Sequence, residues 1–234
     1  MCLNLIASGM VHAQGSDKGS IENVAINKVE TFFNTSIEAQ SMLFNGPAYL
    51  SYGSSVDGSA YFQDLDFSNG SVIYDGFRYN NVPLQYDLYL DKVVSVLYGK
   101  SRLFSLVSEK VSDFYINNHH FVYIGIAAAK TAPIESGFFD LIYKGKLRIL
   151  VKRVKKLQFT LNAETPYYFK PKTTYYLERD DKYYEFDNES SFLSLFKERK
   201  NELKRHLAER KIKFKNDPER AMVIMATYFE RLLN

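Results

Sequence analysis

The sequence predicts an α+β protein: a largely antiparallel, strongly curved sheet or partial barrel, with an N-terminal helix and a C-terminal helical pair. Three observations carry this. Residues 70–124 read as short strands joined by tight turns. The 234-residue chain holds 18 Tyr, 18 Phe and no Trp, and Tyr and Phe favour pleated, half-buried surfaces. The last 45 residues carry apolar positions at helical spacing behind a strong cap.

The order of elements follows from local signals. Ser20 is a candidate cap for a helix to about Glu38, since Ile21, Val24, Ala25, Val29, Phe32 and Phe33 form one stripe. Residues 40–69 are irregular, with turn clusters at Asn45-Gly46-Pro47 and Gly53-Ser54-Ser55 and a short strand over Ala48–Tyr52. The meander follows. Asp75-Gly76 is a two-residue hairpin signal, because a type I′ turn needs positive φ at both central positions, and Asn117-Asn118 serves similarly. Asn80–Pro83 reads as a longer connection, since Pro83 cannot donate to a ladder. In Leu84–Tyr89, Leu84, Tyr86 and Leu88 share one face and Gln85, Asp87 and Tyr89 the other. Residues 126–136 interrupt the meander. A hairpin of Phe138–Tyr143 and Lys146–Arg153 turns at Lys144-Gly145, Glu164–Pro171 reads as a loop, and Thr173–Glu178 with Lys182–Phe186 makes the last hairpin. A helix is expected over Ser190–Arg210. A second starts at Asp217-Pro218-Glu219, where Asp caps, Pro fits the first turn and Glu meets the dipole.

The first 13 residues resemble the end of an export signal. Leu3–Met10 is short and mostly apolar, and Val11-His12-Ala13 fits small-x-small cleavage after Ala13. No Lys or Arg precedes Lys18, so the expected start of translation lies upstream. The domain division is then 1–13 signal remnant, 14–188 helix plus β domain, and 189–234 helical hairpin. Cys2 is the one cysteine and falls inside the signal, which removes disulfide, thiolate and cysteine-metal chemistry from the mature chain. No segment after Ala13 approaches the ~20 apolar residues of a membrane helix. An outer-membrane barrel needs strands of about 9–11 residues with a lipid-facing side, and these strands read as shorter.

Several stretches resemble a known family. Gly70–Asp87 (GSVIYDGFRYNNVPLQYD), Leu106–Lys110, His120–Tyr123, Leu150–Arg153 and the closing helices Ser191–Leu207 and Asp217–Leu232 are similar to a large family of exported Bacteroidota proteins without an assigned function. The resemblance spans nearly the whole mature chain. It implies export and supports the domain extent; it carries no activity and no site residues.

Candidate chemistry is sparse. Adjacent strand residues face opposite ways, so His119 and His120 are not placed to share a metal. Asp64/Asp66, Asp87/Asp91 and Asp180/Asp181 are carboxylate pairs of the kind a glycosidase uses at a defined separation, but Asp in turns is the default explanation for them. Tyr61, Phe62, Leu65 and Phe67 among Asp57, Asp64 and Asp66 would suit a sugar-binding loop, but the regular calcium-loop spacing is absent and the expectation is a surface loop pinned by its aromatics. No nucleophile elbow and no phosphate loop occurs. The sequence thus predicts no catalytic residues, no cofactor and no metal.

Charge is uneven. The net charge is +3, with 5 basic against 10 acidic residues up to position 100 and 25 against 17 after it. Lys144–Lys156 holds seven Lys/Arg and no acid, and Lys197–Lys215 holds nine against three. Lys146, Arg148, Lys152, Lys200 and Lys204 are the candidate anionic-partner surface. Export argues against nucleic acid, so the expected partner is a lipid, a glycan or another envelope protein. The functional expectation is a non-enzymatic periplasmic or cell-envelope protein that binds or carries an apolar or anionic ligand. The alternatives are a structural or interaction module, and then a hydrolase of envelope glycans or lipids.

Overall fold

The computed structural model describes residues 43–63, 66–97, 102–129, 134–161 and 164–233. The expected signal remnant, the helix over Ser20–Glu38 and the turns at Gly99-Lys100 and Thr131–Pro133 lie outside the described residues. What is described is mixed α+β, mostly one large open sheet with helices at its C-terminal end. The strands are β1 (Val56–Asp57), β2 (Ser68–Tyr74), β3 (Phe77–Asp87), β4 (Lys92–Val96), β5 (Leu103–Ser105), β6 (Val111–Ile116), β7 (His119–Ile124), β8 (Gly137–Lys144), β9 (Arg148–Phe159), β10 (Tyr167–Arg179) and β11 (Lys182–Phe186). Their order is β1-β10-β9-β8-β7-β6-β2-β3-β4-β5, with β11 also on β10. Every pairing is antiparallel except β1 with β10.

The hairpins turn where the sequence places them. Asp75 and Gly76 have φ of 51° and 84°, Asn117 and Asn118 of 49° and 63°, and Asp180 and Asp181 of 53° and 56°. These are the left-handed conformations that Gly, Asn and Asp adopt most readily. Two expected loops are instead strand. Asn80–Pro83 lies within β3, where β2 pairs with it on one side and β4 begins only at Leu84. Pro83 therefore needs no ladder donor on the β4 side. Tyr167–Pro171 of the second belongs to β10, which pairs with β9 from Tyr167 to Glu178.

Pro171 stands opposite Lys155. The Lys155 N–H turns the other way and donates to the Leu88 carbonyl at 3.0 Å. The two backbone nitrogens of such a pair both point away from the partner strand, so the Pro171 nitrogen faces the outer edge of β10. Among the described residues, positions 169–174 pair on that outer side with no strand. At the opposite end of the sheet, residues 47–49 run beside β5: Tyr49 N–H donates to Leu103 O, and Ser105 N–H to Pro47 O, each at 3.0 Å.

The predicted long helix is two. α1 (Glu189–Ser194) is capped by Asn188 in a reciprocal box with Ser191. A 3₁₀ turn over Lys197–Arg199, with Lys197 at φ 34°, separates it from α2 (Lys200–Glu209). α3 (Pro218–Leu232) starts as expected, the Asp217 carboxylate accepting the Arg220 N–H. Phe192, Leu193, Phe196, Leu203, Leu207, Ala221, Met222, Met225 and Ala226 are buried with Leu147, Ile149, Leu177 and Phe186 of the β8–β11 region. On the other face of the same strands, Phe139, Leu141, Leu150 and Tyr176 join Ile124 and Ile134. This part of the sheet is covered on both faces. Leu150 and Lys152 of β9 are therefore both buried.

Candidate functional site

The end of β3, the turn after it and residues 59–62 converge on the middle of β9. Residues 59–62 run antiparallel to β3, with Phe62 N–H to Tyr86 O at 2.8 Å and Leu88 N–H to Ala60 O at 2.9 Å. Leu88 O then accepts from Lys155 of β9. Three carboxylates and four basic side chains meet in this belt.

Asp87 is fully buried. Its Oδ1 accepts the N–H groups of Tyr89 and Leu90 at 2.8 and 2.9 Å, and its Oδ2 accepts the Tyr49 and Tyr52 hydroxyls at 2.7 and 2.6 Å. The Tyr61 hydroxyl lies 3.2 Å from that of Tyr49. Burial, then the hydrogen bonds and the negative charge of Asp87, push the Tyr49 and Tyr52 phenols far above their ordinary range. Lys155 Nζ donates to the carbonyls of Ser59 and Tyr61 at 2.6 and 2.7 Å, and burial pulls its pKa down.

Asp91, at φ 55°, aims its carboxylate back at the sheet. Oδ1 accepts from Tyr86 Oη at 2.5 Å, and Oδ2 meets Lys152 Nζ at 2.7 Å. Lys152 also donates to Phe138 O at 3.2 Å and lies 4.9 Å above the Phe139 ring. Gly137, at φ 134°, permits this approach: a Cβ there would overlap Asp91 Oδ2 and crowd Lys152 Nζ.

Asp140 is 1% exposed. Its Oδ2 accepts from Arg153 Nε and Nη2 at 3.0 and 2.7 Å and lies 2.7 Å from His119 Nδ1. Arg153 Nη2 continues to Glu219 Oε2 at 2.8 Å, which ties the first turn of α3 to β9. His119 Nε2 is 3.2 Å from Gln63 Nε2. With Asp140 ionised, the network assigns the proton to His119 Nδ1 and makes Nε2 the acceptor. Between these groups the interior is filled by rings: Tyr86, Phe114, Phe121 and Phe138 pack with centroids 4.8–5.9 Å apart.

A general acid or base must present a proton or lone pair to a substrate. In the belt Asp87 is saturated by four donors, and Asp91 and Asp140 each lie against a cation. The His119–Asp140 pair has the geometry of a base and its orienting acid, but Arg153 neutralises Asp140 and Gln63 covers Nε2. The belt holds the sheet together. Among the described residues, no group of three or more His, Cys, Asp or Glu is placed to hold a metal ion.

The residues picked from the sequence scatter. Lys152 is not on a surface: it is 7% exposed and paired with Asp91, because β9 is covered on both faces where it lies. Arg148 is engaged by Glu178, with Nε 2.7 Å from Oε2. Lys146 and Lys204 are exposed and Lys200 is half-buried. His119 and His120 point to opposite faces, His120 stacking on Tyr115 at 4.0 Å with its Nε2 3.4 Å from Asp113 Oδ1. Asp180 and Asp181 make an exposed turn, and Asp64 lies outside the described residues. Tyr49, Tyr52, Asp140, Arg153 and Lys155 were not singled out by sequence. The signal for Asp140 was there: a lone carboxylate inside Phe-Phe-Asp-Leu-Ile, where burial of a charge demands a partner.

A second cluster borders the belt and shares Tyr52 with it. Tyr52, Tyr89 and Phe169 form a mutual ring contact at 5.0–6.0 Å, and Phe159 pairs with Tyr167 across the β9–β10 ribbon at 5.9 Å. Tyr167 and Phe169 share one face of β10 by alternation. Phe159 is 66% exposed, Tyr167 42% and Tyr89 41%. Compared with family profiles, with curated proteins and with solved structures, the chain matches none.

Proposed function

We propose that the protein is a non-enzymatic binding protein of the cell envelope, exported to the periplasm or envelope, whose ligand is partly apolar and anionic. The observation that carries this reading is the contrast between the two clusters: the charged groups of the belt are consumed by one another, whereas the rings on the β9–β10 ribbon stand open to an incoming molecule. Aromatic side chains bury much area at low entropic cost, and their exposure on one face marks a contact surface. The reading includes a strongly curved, partial-barrel sheet. The Leu88–Lys155 hydrogen bond supports it, because it joins β3 to a strand five places away in the order. Export rests on the Val11-His12-Ala13 pattern.

An interaction module built on strand addition is less well supported. The free stretch of β10 carries Lys170, Pro171 and Lys172, which blunt an edge against pairing. A hydrolase has the His119–Asp140 pair to draw on, and both ends of that pair are occupied.

Native mass spectrometry of the mature chain, purified from an envelope-containing host, tests the proposal. A co-purified ligand is expected, and Phe169→Ala or Tyr89→Ala should weaken its retention. A chain that carries no ligand and binds neither lipid nor glycan in titrations overturns it.

A further inference from the structure

Beyond residue 151, β9 leaves β8 behind: β8 pairs with it only through Arg148–Val151. From there β9 and β10 continue as a two-stranded ribbon, held at its base by Leu88, by the Ser59 and Tyr61 carbonyls and by the Tyr52 and Tyr89 rings, and paired further along with β1. Its end bears three exposed apolar side chains, Leu161 at 94%, Phe159 at 66% and Tyr167 at 42%. The opposite face carries Lys156 directly across from Lys170, with Lys172 two residues on. All three lysines are exposed, and among the described residues none has an acidic partner. Like charges directly opposite on a sheet are destabilising. The ribbon thus holds a repulsive cationic face just behind an apolar tip, with Glu164 as the acid described at that tip.

We infer that the tip of the β9–β10 ribbon docks on an anionic lipid surface. Phe159 and Tyr167 enter the interfacial region with Leu161 ahead of them, and Lys156, Lys170 and Lys172 meet the headgroup phosphates. The dimensions agree. Three strand residues separate Lys156 from Phe159, about 10 Å. A headgroup layer is roughly 5–8 Å deep, and flexible lysine stems reach across the difference. The charge and the apolar tip work together, since a few basic residues or a few apolar side chains alone give only weak, reversible attachment. This rests on the binding-protein reading only for the choice of an envelope ligand.

The test is sedimentation of the full chain with phosphatidylcholine vesicles and with mixed phosphatidylcholine–phosphatidylglycerol vesicles, at low and high salt. Binding is expected to the mixed vesicles, to weaken with salt, and to be slight on phosphatidylcholine alone. Replacing Lys156, Lys170 and Lys172 by Gln should lower partitioning by about fivefold per lysine. Leu161→Asp should lower it by about tenfold or more. Unchanged circular dichroism and a Tm that does not fall in these exposed variants exclude unfolding as the cause. Three outcomes overturn the inference: no vesicle binding, equal binding to neutral vesicles, or loss with the lysine variants but none with Leu161→Asp, which describes an anion contact without insertion. If vesicle binding fails while native mass spectrometry finds a ligand lost on Phe169→Ala, the docking inference falls and the binding-protein reading stands.

Discussion

The belt around Asp87, Asp91 and Asp140 and the lysine face of the β9–β10 ribbon are built from the same strand and treat charge in opposite ways. In the belt, Lys152, Arg153 and Lys155 are each taken by a carboxylate or by backbone carbonyls. The next residue of β9, Lys156, faces Lys170, and among the described residues neither has a counter-charge. Burial explains the first: an ionised group removed from water must be paired and hydrogen-bonded, or it is very costly. Nothing in the fold requires the second. Charge arranged for folding is neutralised internally, and charge left uncompensated is available to something else.

The comparison can be broken most forcefully at Asp87. Asp87→Ala strands two phenols and two N–H groups in a dry site, and should lower stability by about 3–5 kcal/mol in urea unfolding. A loss below about 1 kcal/mol would show that the belt is not what holds β3 to β9. Gly137→Ala is next. It forces a side chain into a left-handed φ and against the Asp91–Lys152 pair. A loss of about 2–3 kcal/mol is expected, read as a fall in Tm.

Alkaline pH probes the same belt without mutation. Tyr49, Tyr52, Tyr61 and Tyr86 all have pKa values raised above 10.0, burial first among the causes. A raised folded pKa gives stability that is complete below the unfolded value and is lost as pH climbs past it. Phenolate absorbance should therefore show a subset of the 18 tyrosines ionising only as the circular dichroism collapses. If all titrate near pH 10 with the fold retained, the hydroxyls around Asp87 are not buried partners.

The smallest effect has the opposite sign. Lys170→Glu sets an acid across from Lys156 and should stabilise the chain by about 0.2–1 kcal/mol while weakening binding to anionic vesicles. Stabilisation without loss of binding would separate the lysine face from the membrane.

Much of the fold was legible because its signals are local. Asp75-Gly76, Asn117-Asn118 and Asp217-Pro218 each set a backbone conformation through their own side chains or through their absence. The belt was not legible, because its chemistry is long-range. Lys152 and Asp91 are 61 residues apart, and Lys155 reaches a carbonyl 96 residues away. In sequence Lys152 looks like one more member of a basic run, and only the coverage of β9 on both faces turns it inward. The break between α1 and α2 was missed for a related reason: Ser190–Arg210 is helical in pattern throughout, and Phe192, Phe196 and Leu203, which flank the turn at Lys197, share one buried cluster with residues distant in sequence.

Pro171 interrupted the strand signal so effectively that its segment read as a loop, and the same residue decides what that strand can do in company. A second copy of the chain, approaching the free margin of β10, would meet a ring where an amide should be, flanked by two ammonium groups. It could not extend the ladder there. That margin of β10 is no template for chains like itself.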